Sequence, residues 1–385
     1  MTAHSKVAGR PTELLGRVLK HIIGMRSHRC NCDCPILDVS LESDGLTLKP
    51  KCPLNAVGRE NKARLPCAVL CVYAIGMSKT AFLYAGQGAQ VVGMGKDLAE
   101  AYPEARALFD RANDALGYDL TQICFEGPEA ELTKTENAQP GIFLVSWVAQ
   151  ELLQSQVSNL KSDATAGLSL GEFTALTAAG VMSFEDGLNV VRQRGRFMQE
   201  ACEATEGGMA AIIGLDEAAT REVCAEAEVE LANLNCPGQL VISGACASIE
   251  KACELAKERG AKRALPLPVA GAYHSRLMES ACPKLEAALR EVELNLPGVP
   301  VISNVTAQPH ATAGEILNRL VEQVTSSVQW EASIRYLIDD GVTRFIELGP
   351  GNALTGFMRR IDRSLEVHNV SDVPSLEKTV AALSD

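Results

Sequence analysis

The segment at residues 167–171, Gly-Leu-Ser-Leu-Gly, places Ser169 between two glycines in the pattern G-x-S-x-G. In this pattern a strand turns sharply into a helix, and the glycines permit a turn that is too tight for larger side chains. The serine hydroxyl then projects at the edge of the sheet, above the N-terminus of the helix. Ser169 is therefore a candidate nucleophile, and the alternative is a serine that caps a helix.

A serine hydroxyl needs a nearby base to accept its proton before it can attack a substrate. Three of the six histidines lie before residue 77, which leaves His274, His310 and His368. His310 falls in a polar connection and His368 lies near the C-terminal end. His274 directly follows the last predicted strand of an inserted domain, and loops where two domains meet often line clefts. By elimination, His274 is the best candidate base, although each of the three could instead be an exposed or capping histidine.

The glycine turn GQGAQ at 86–90 resembles a dinucleotide-binding fingerprint only in part. The third glycine of G-x-G-x-x-G would fall on Val91, so the match fails. The turn could instead bring a backbone amide or the Gln87 side chain to Ser169. Such a donor stabilises the oxyanion of an acyl-transfer transition state by ~2.7–4 kcal/mol.

The elements that must position these residues begin near Met77, where short apolar runs start to alternate with helical stretches. Predicted strands lie at 80–84, 163–166 and 344–348. Predicted helices lie at about 96–115, 142–156, from 172 onward, 277–289 and 314–324. Strand, turn and helix in this order predict an α/β fold with a largely parallel sheet.

A second pattern interrupts the first between about residues 208 and 269. Predicted strands at 209–214, 229–235, 239–243 and 263–269 alternate with helices at 216–227 and 247–259. Strand-helix-strand-strand-helix-strand is the order of a ferredoxin-like α+β domain. We therefore expect a large α/β domain at 77–205 and 275–385, with a small ferredoxin-like domain inserted at 206–274.

The first 76 residues differ from the rest of the chain in charge and cysteine content. They have a net charge of +5, the remainder has −17, and six of the 13 cysteines lie here. We expect residues 1–76 to be a disordered or mis-assigned extension, with Met77 as the natural start. One alternative is a metal site at His28, Cys30, Cys32 and Cys34, against which the C-x-C-x-C spacing counts. Another is a transit peptide, which would place the protein in a plastid or another organelle.

Composition excludes several classes of function. The net charge of −12 argues against a nucleic-acid partner, because phosphate binding needs a basic surface. No segment approaches the ~18–20 apolar residues of a membrane-spanning helix, so we expect no membrane partner. The seven cysteines after residue 76 are irregularly spaced, and a cytosolic setting argues against disulfides. We expect a cytoplasmic monomer that acts on small molecules.

Six segments of the body together resemble the malonyl-CoA:acyl carrier protein transacylases, the acyltransferases that load malonyl groups in fatty acid synthesis. They are GQGAQ at 86–90, GLSLGE at 167–172, QRGRFM at 193–198, GAYHS at 271–275, SVQW at 327–330 and ELGPG at 347–351. The resemblance spans about residues 79–369 and none of the first 76. It implies a hydrolase-like α/β domain that carries a ferredoxin-like insert, as the patterns above also predict.

The resemblance implies roles for four residues of the reaction centre. Ser169 would be the nucleophile and His274 the general base. The backbone amides of Gln87 and Leu170 would form the oxyanion hole. The implied reaction is a ping-pong transfer of malonyl from malonyl-CoA through a malonyl-serine to the pantetheine thiol of acyl carrier protein. No metal or other cofactor is implied, because malonyl-CoA and the phosphopantetheine arm are substrates.

The resemblance also implies residues that select the substrate and orient the base. Arg194 matches the arginine that holds the free carboxylate of malonyl, a task suited to a permanently charged planar fork. Gln329 matches the glutamine whose backbone carbonyl orients the histidine, and Asn233 matches a cleft residue of the small domain. Two positions depart from the usual motif: Leu168 replaces a histidine, and Tyr273 replaces a phenylalanine. The tyrosine leaves selectivity between malonyl and methylmalonyl open.

The carrier proteins of this pathway are acidic, so the net charge of the body opposes their approach. Two clusters of basic residues could override this repulsion locally. They are Lys257, Arg259, Lys262 and Arg263 in the insert, and Arg359, Arg360 and Arg363 near the C-terminus. We expect both to flank the cleft and to meet the carrier protein or the phosphates of CoA.

Two other functions fit the same motifs in part. An α/β-hydrolase such as a thioesterase also uses G-x-S-x-G, with an acid between the serine and the histidine in chain order. A non-catalytic acyl-CoA-binding relative would retain the fold alone. The thioesterase has no use for Arg194 if its acyl chains are neutral.

Overall fold

The computed structural model describes residues 37–42 and 45–50 as backbone, and residues 79–384 in full. The chain divides into two compact units, residues 1–70 and 71–385. The candidate metal site at residues 28–34 lies outside the described residues, as does most of the predicted N-terminal extension.

In the first unit, strand β1 (Leu37–Glu42) pairs antiparallel with β2 (Gly45–Pro50). These strands were not predicted. The sequence of β1 does alternate apolar and polar residues with the period of two that is typical of a strand.

A parallel sheet lies at the centre of the second unit, with the strand order β10-β9-β3-β4. Its strands are β3 (Lys79–Tyr84), β4 (Ala164–Gly167), β9 (Val342–Leu348) and β10 (Glu366–Val370). The carboxyl ends of parallel strands share one edge of the sheet, where ligands bind in α/β proteins. The glycine turns that follow β3, β4 and β9 therefore meet at this edge.

Helices cover both faces of the parallel sheet. Phe82 and Tyr84 of β3 pack into one hydrophobic cluster, and Ala81 and Leu83 pack into another on the opposite face. The helices before the second sheet are α1 (Lys96–Ala101), α2 (Pro103–Leu116), α3 (Leu120–Glu126), α4 (Glu129–Thr133), α5 (Thr135–Gln156), α6 (Leu170–Ala178) and α7 (Phe184–Glu203). Those after it are a 3₁₀ helix (Arg276–Ala281), α10 (Cys282–Arg290), α11 (Ala313–Glu322), α12 (Trp330–Asp339), α13 (Ala353–Ile361) and α14 (Val373–Ser384).

The second sheet is antiparallel and has the strand order β6-β7-β5-β8. Its elements are β5 (Gly207–Ile213), α8 (Glu217–Ala227), β6 (Glu230–Cys236), β7 (Gln239–Ala245), α9 (Cys246–Glu258) and β8 (Arg263–Pro266). This sheet has a hydrophobic core of its own, to which both helices contribute. The predicted alternation of strands and helices is therefore confirmed, with bounds that differ by one to three residues.

Three predicted helices differ from the structure by more than their end residues. The helix at 96–115 is two helices, because Tyr102 is extended before Pro103, a residue that disfavours helical geometry in its predecessor. The helix at 142–156 begins at Thr135 and continues through Pro140, since most of α5 is buried and packing outweighs one lost hydrogen bond. The helix at 277–289 begins as a 3₁₀ helix and continues as α10 from Cys282.

Among the helices of the described residues, none has both the length and the apolar character needed to cross a membrane.

Candidate active site

The turn between β4 and α6 holds Ser169 in a conformation that few residues adopt. Its backbone has φ 52° and ψ −104°. A Cβ on Gly167 would lie 1.9 Å from the carbonyl carbon of Gly171, and a Cβ on Gly171 would lie 2.2 Å from the Tyr84 carbonyl oxygen. Both glycines of the pentapeptide are therefore required by close contacts, as the G-x-S-x-G pattern predicts.

Ser169 and His274 form a hydrogen-bonded pair. The Nε2 atom of His274 lies 2.8 Å from Ser169 Oγ, and its Nδ1 lies 2.8 Å from the carbonyl oxygen of Gln323. A carbonyl only accepts, so Nδ1–H donates to it and Nε2 is left to accept the serine proton. The geometry therefore fits a general base beside a nucleophile.

The prediction that the Gln329 carbonyl orients His274 is wrong, because the carbonyl bonded to the histidine is that of Gln323. Gln329 precedes α12, and its carbonyl accepts from the N–H and the hydroxyl of Ser333 within that helix. Gln323 immediately follows α11, where the last carbonyls of a helix have no intrahelical partner. Its carbonyl is therefore available to the histidine. The two glutamines are six positions apart, and the motif at 327–330 drew attention to the wrong one.

Burial makes the imidazole of His274 a neutral base. Burial, and secondly the charge of Arg194, lower the pKa of His274 to about 4. The ring is thus uncharged at neutral pH and can accept a proton without first losing one.

Arg194 lies beside the serine, on helix α7. Its Nη2 is 3.1 Å from Ser169 Oγ and 2.9 Å from Oε1 of Gln323, and its Nη1 donates to Oε1 of Gln139 at 2.8 Å. The guanidinium carbon lies 5.1 Å from the centre of the Phe173 ring. Burial lowers the pKa of Arg194 to about 10, so the side chain remains charged at neutral pH. Within the described part of the chain, its Nε has no hydrogen-bond partner.

A cavity of about 280 Å³ brings several predicted residues together around the serine. Its lining includes Ser169, His274, Gln87 and Asn233. Asn233 comes from β6 of the antiparallel sheet, so the cavity lies between the two sheets. Leu170 is the first residue of α6, and its N–H is one of those that lack a partner within the helix.

Leu168 and Tyr273, the two residues that depart from the usual motif, have different surroundings. Leu168 lines the cavity and lies directly against the turn at Gly86. The hydroxyl of Tyr273 is 2.7 Å from Thr135 Oγ1 and 3.3 Å from Nε2 of Gln87. The Gln87 side chain is thereby held away from an oxyanion role, which leaves its backbone amide as the candidate donor.

Sequence reasoning missed a group of buried polar residues behind the turn. Asn304 accepts from the Ser169 N–H at 2.6 Å and donates to the Gly167 carbonyl at 2.7 Å. His310, which we placed in a polar connection, is buried and bonded to Glu172 at 2.7 Å. No local pattern marks Asn304 or His310, because their partners are more than 130 residues away.

Among the described residues, no three His, Cys, Asp or Glu side chains lie together in an arrangement that could hold a metal ion.

Residues 81–384 match the family model described as "Acyl transferase domain". The chain belongs to the acyl transferase family. Together with the similar proteins given next, this match confirms the resemblance inferred from the six sequence motifs.

Several proteins and solved structures are similar to this chain over most of its length. The malonyl CoA-acyl carrier protein transacylase of Bacillus subtilis (strain 168) is 47% identical over 314 residues, which cover 80% of this chain and 98% of that protein. The crystal structure of an acyl-carrier-protein-S-malonyltransferase from Bartonella henselae is 40% identical, covers 80% of this chain and 100% of its own, and has a TM-score of 0.76. A structure of a malonyl-transacylase in complex with a type II PKS acyl-carrier protein is 38% identical, covers 79% of this chain and 100% of its own, and has a TM-score of 0.77.

Proposed function

We propose that this acyl transferase moves the malonyl group of malonyl-CoA to the pantetheine thiol of an acyl carrier protein and so supplies fatty acid synthesis. One observation carries the proposal. The oxygen of Ser169 lies between the base His274, at 2.8 Å, and the guanidinium of Arg194, at 3.1 Å. A nucleophile, a neutral base and a fixed positive charge at one point suit an acyl donor that is itself a carboxylate.

The first transfer forms a malonyl-serine. His274 accepts the proton of Ser169 as Oγ attacks the thioester carbonyl. The backbone N–H groups of Gln87 and Leu170 stabilise the oxyanion, and the α6 N-terminus favours the same negative charge. The C–S bond then breaks, and the CoA sulfur leaves with the proton that His274 carries.

The second transfer repeats the steps with a different thiol. The pantetheine thiol gives its proton to His274 and attacks the malonyl-serine carbonyl. Collapse of the tetrahedral intermediate breaks the ester bond and returns the proton to Ser169 Oγ. The transfers join thioesters of similar energy, so the site needs no other source of free energy and no cofactor.

Arg194 presents one edge to the substrate. Its Nε has no partner within the described residues, and its Nη2 already touches Ser169 Oγ. These two nitrogens share one side of the guanidinium and can bind both oxygens of a carboxylate. We infer that the free carboxylate of malonyl binds at this edge, displacing the contact to the serine.

The finer fold assignments belong to the same proposal. We propose a hydrolase-like large domain at 77–205 and 275–385 and a ferredoxin-like small domain at 206–274. In support of the second, the strand order β6-β7-β5-β8 and the order of its helices are those of the ferredoxin-like pattern. Asn233 would contribute a cleft contact from this domain. A cytoplasmic location and a monomeric state remain predictions.

The basic clusters support a docking surface for the carrier protein. Residues Gly214 and Gly238 adjoin each other, and Lys262 reaches the first while Arg360 reaches the second. The two clusters therefore approach one another. Arg259 is a weaker candidate, because it pairs with Glu226 and Glu222.

Measuring transfer of malonyl to the carrier protein against its hydrolysis to malonate distinguishes the proposed transferase from a thioesterase. The protein is incubated with malonyl-CoA in the presence and absence of acyl carrier protein that bears its phosphopantetheine arm, and malonyl-carrier and free malonate are measured. We expect malonyl-carrier to form and little malonate to appear. Rapid release of malonate without transfer would favour the thioesterase, and release of neither product would favour a non-catalytic relative.

A further inference from the structure

A buried carboxylate, Glu172, lies in the first turn of α6 and takes no part in the transfer steps described above. Its side chain is fully buried. It accepts hydrogen bonds from Nε2 of Gln323 at 2.6 Å, from the backbone N–H of Asn304 at 3.0 Å and from Nε2 of His310 at 2.7 Å. A carboxylate is costly to bury unless such donors satisfy it. The arrangement therefore links three separate parts of the chain to one side chain.

The first link leads to the base. Gln323 donates through Nε2 to Glu172 and to the Ser169 carbonyl at 3.0 Å, and its Oε1 accepts from Arg194. Hydrogen bonds thus hold both the nitrogen and the oxygen of its side-chain amide. Its own carbonyl holds His274 at 2.8 Å. A shift of Gln323 therefore changes the position of the imidazole.

The second link leads to the nucleophile. Asn304 donates through its backbone N–H to Glu172, while its side chain bonds to the Ser169 N–H and the Gly167 carbonyl. These two bonds lie on either side of Leu168. A strained conformation like that of Ser169 persists only where the surrounding structure enforces it. Asn304 supplies part of that enforcement, and Glu172 fixes Asn304.

We propose that Glu172 is a positioning residue for both catalytic groups: one carboxylate fixes the Gln323 carbonyl that orients His274 and the Asn304 side chain that holds the turn at Ser169. His310 bonds to the other carboxylate oxygen and orients it. Glu172 does not touch the reacting atoms. It acts by keeping Ser169 Oγ and His274 Nε2 within hydrogen-bond reach, and the proposal rests on the proposed function only for the choice of substrate.

Two substitutions separate position from charge. Glu172→Gln removes the charge but keeps the length of the side chain, and its amide oxygen can face Gln323 and Asn304. Its amide nitrogen then faces His310, whose ring can accept in the other tautomer. Glu172→Asp keeps the charge but is one methylene shorter, so it withdraws from Gln323 and Asn304. A positioning role for Glu172 therefore predicts that Glu172→Gln keeps its activity and that Glu172→Asp loses it.

The rate of malonyl-serine formation and the rate of inactivation by phenylmethylsulfonyl fluoride are measured for each variant. The sulfonyl fluoride is neutral, so it reports the Ser169–His274 pair without the carboxylate contact of Arg194. We expect Glu172→Asp to slow both reactions by about tenfold or more, with little change in the KM for malonyl-CoA, because small misplacements of reacting groups are costly. We expect Glu172→Gln to remain within about threefold of the wild type, because its hydrogen bonds persist.

Ile249→Val is the control for stability. Ile249 is buried in α9, in the core of the antiparallel sheet, and the change costs about 0.5–1.5 kcal/mol of unfolding free energy without touching this network. Equal rates in this variant and the wild type show that a modest loss of stability leaves both reactions intact. If Glu172→Asp fails to fold, Gln323→Met replaces it, since methionine keeps the carbonyl but not the amide, and the same slowing of sulfonylation is expected.

Two results would overturn the proposal. Wild-type rates in folded Glu172→Asp, or in Gln323→Met, would show that the network does not position the pair. Slowing in Glu172→Gln together with wild-type rates in Glu172→Asp would assign the effect of Glu172 to its charge, and equal losses in both variants would assign it to general stability. Failure of the proposed function gives a different result: the wild type would then react with the sulfonyl fluoride but take up no malonyl group.

Discussion

At the scale of single residues, the buried charge of Arg194 has a proposed role in substrate binding and also lowers the pKa of the base His274. The guanidinium lies beside Ser169 and, after burial itself, is the second cause of the lowered pKa of His274. A positive charge near an imidazole disfavours its protonated form. The site therefore holds a buried positive charge beside a base that is neutral over the physiological range.

The pH dependence of serine modification tests this coupling. The neutral form of His274 is needed, so the rate of sulfonylation by phenylmethylsulfonyl fluoride should fall only as the pH drops through about 4. In Arg194→Met the charge is gone, so the pKa of His274 should rise and the acid limb should move to higher pH. The rate is measured in brief pulses at each pH. An unchanged midpoint in Arg194→Met would contradict the coupling.

Arg194→Ala should change which acyl group is accepted. Loss of two charge-assisted hydrogen bonds, about 3 kcal/mol, corresponds to a decrease of about a hundredfold in kcat/KM for malonyl-CoA. Acetyl-CoA has no carboxylate, so its rate should be unchanged or higher. Arg196→Ala is the matched control, because Arg196 is exposed on the same helix and pairs with Glu200. Equal losses with both substrates would indicate structural damage instead of lost recognition.

The structure brings together the side chains of Ser169, His274 and Arg194 that the sequence singled out, but it corrects the backbone carbonyl that orients the histidine. Ser169 and Arg194 lie in recognisable motifs, and His274 was found by elimination. The carbonyl that orients the histidine could be assigned only from the structure, since any residue type can supply a carbonyl. Gln323, rather than Gln329, has that role because it lies at the end of a helix.

At the scale of secondary structure, the reaction centre depends on how closely helix α6 approaches strand β3. Gly171 lies against the Tyr84 carbonyl, and Leu168 donates to the same oxygen at 3.1 Å. The helix N-terminus thus begins directly at the sheet edge. This contact places the N–H groups of the first turn beside the serine.

Gly171→Ala should destabilise the protein. The added Cβ would lie 2.2 Å from a backbone oxygen, and relief of that clash should cost at least about 2 kcal/mol of unfolding free energy. Gly356→Ala is the control, because a Cβ there meets nothing within 4 Å and the residue lies inside α13. It should be neutral or stabilise the protein by roughly 0.5–1 kcal/mol. Denaturant unfolding measures both, and equal midpoints would contradict the role of the close contact.

The order of elements in the antiparallel sheet was predictable from sequence, while element ends and several elements of the larger unit, such as α12, α13 and α14, were not. The alternation of strands and helices predicted both sheets. The break at Tyr102 and the early start of α5 at Thr135 depend on local proline geometry and on burial from all sides. Strand β10 (Glu366–Val370) was missed, because it is short and only its last residue is fully buried.

At the scale of the whole molecule, the negative net charge and the basic surface act in opposite directions. The chain carries −12 in total. Arg360 lies one turn after Phe357, a residue that lines the cavity. Lys262 precedes β8 and Arg263 begins it, and residues that follow this strand line the cavity as well. In the proposed docking surface, a local positive field attracts an acidic partner that the distant charges repel.

Charge reversal tests this docking surface. Lys262→Glu with Arg360→Glu should raise the KM for acyl carrier protein severalfold at low salt and leave the rate of malonyl-serine formation unchanged, because rim charges act mainly on association. Arg106→Glu with Arg290→Glu changes the net charge equally on α2 and α10, which contribute no lining residue to the described cavity. An equal rise in both double variants would show that net charge, rather than this surface, governs the encounter.

The most direct measurement is the intact mass of the protein after brief exposure to malonyl-CoA and an acid quench, in the absence of carrier protein. The wild type should gain one malonyl group, and Ser169→Ala should gain none. Later addition of carrier protein before the quench should remove the group from the wild type and place it on the carrier. A malonyl group that persists in Ser169→Ala, or a wild type that never gains one, would contradict the assignment of Ser169 as the nucleophile of an acyl transferase.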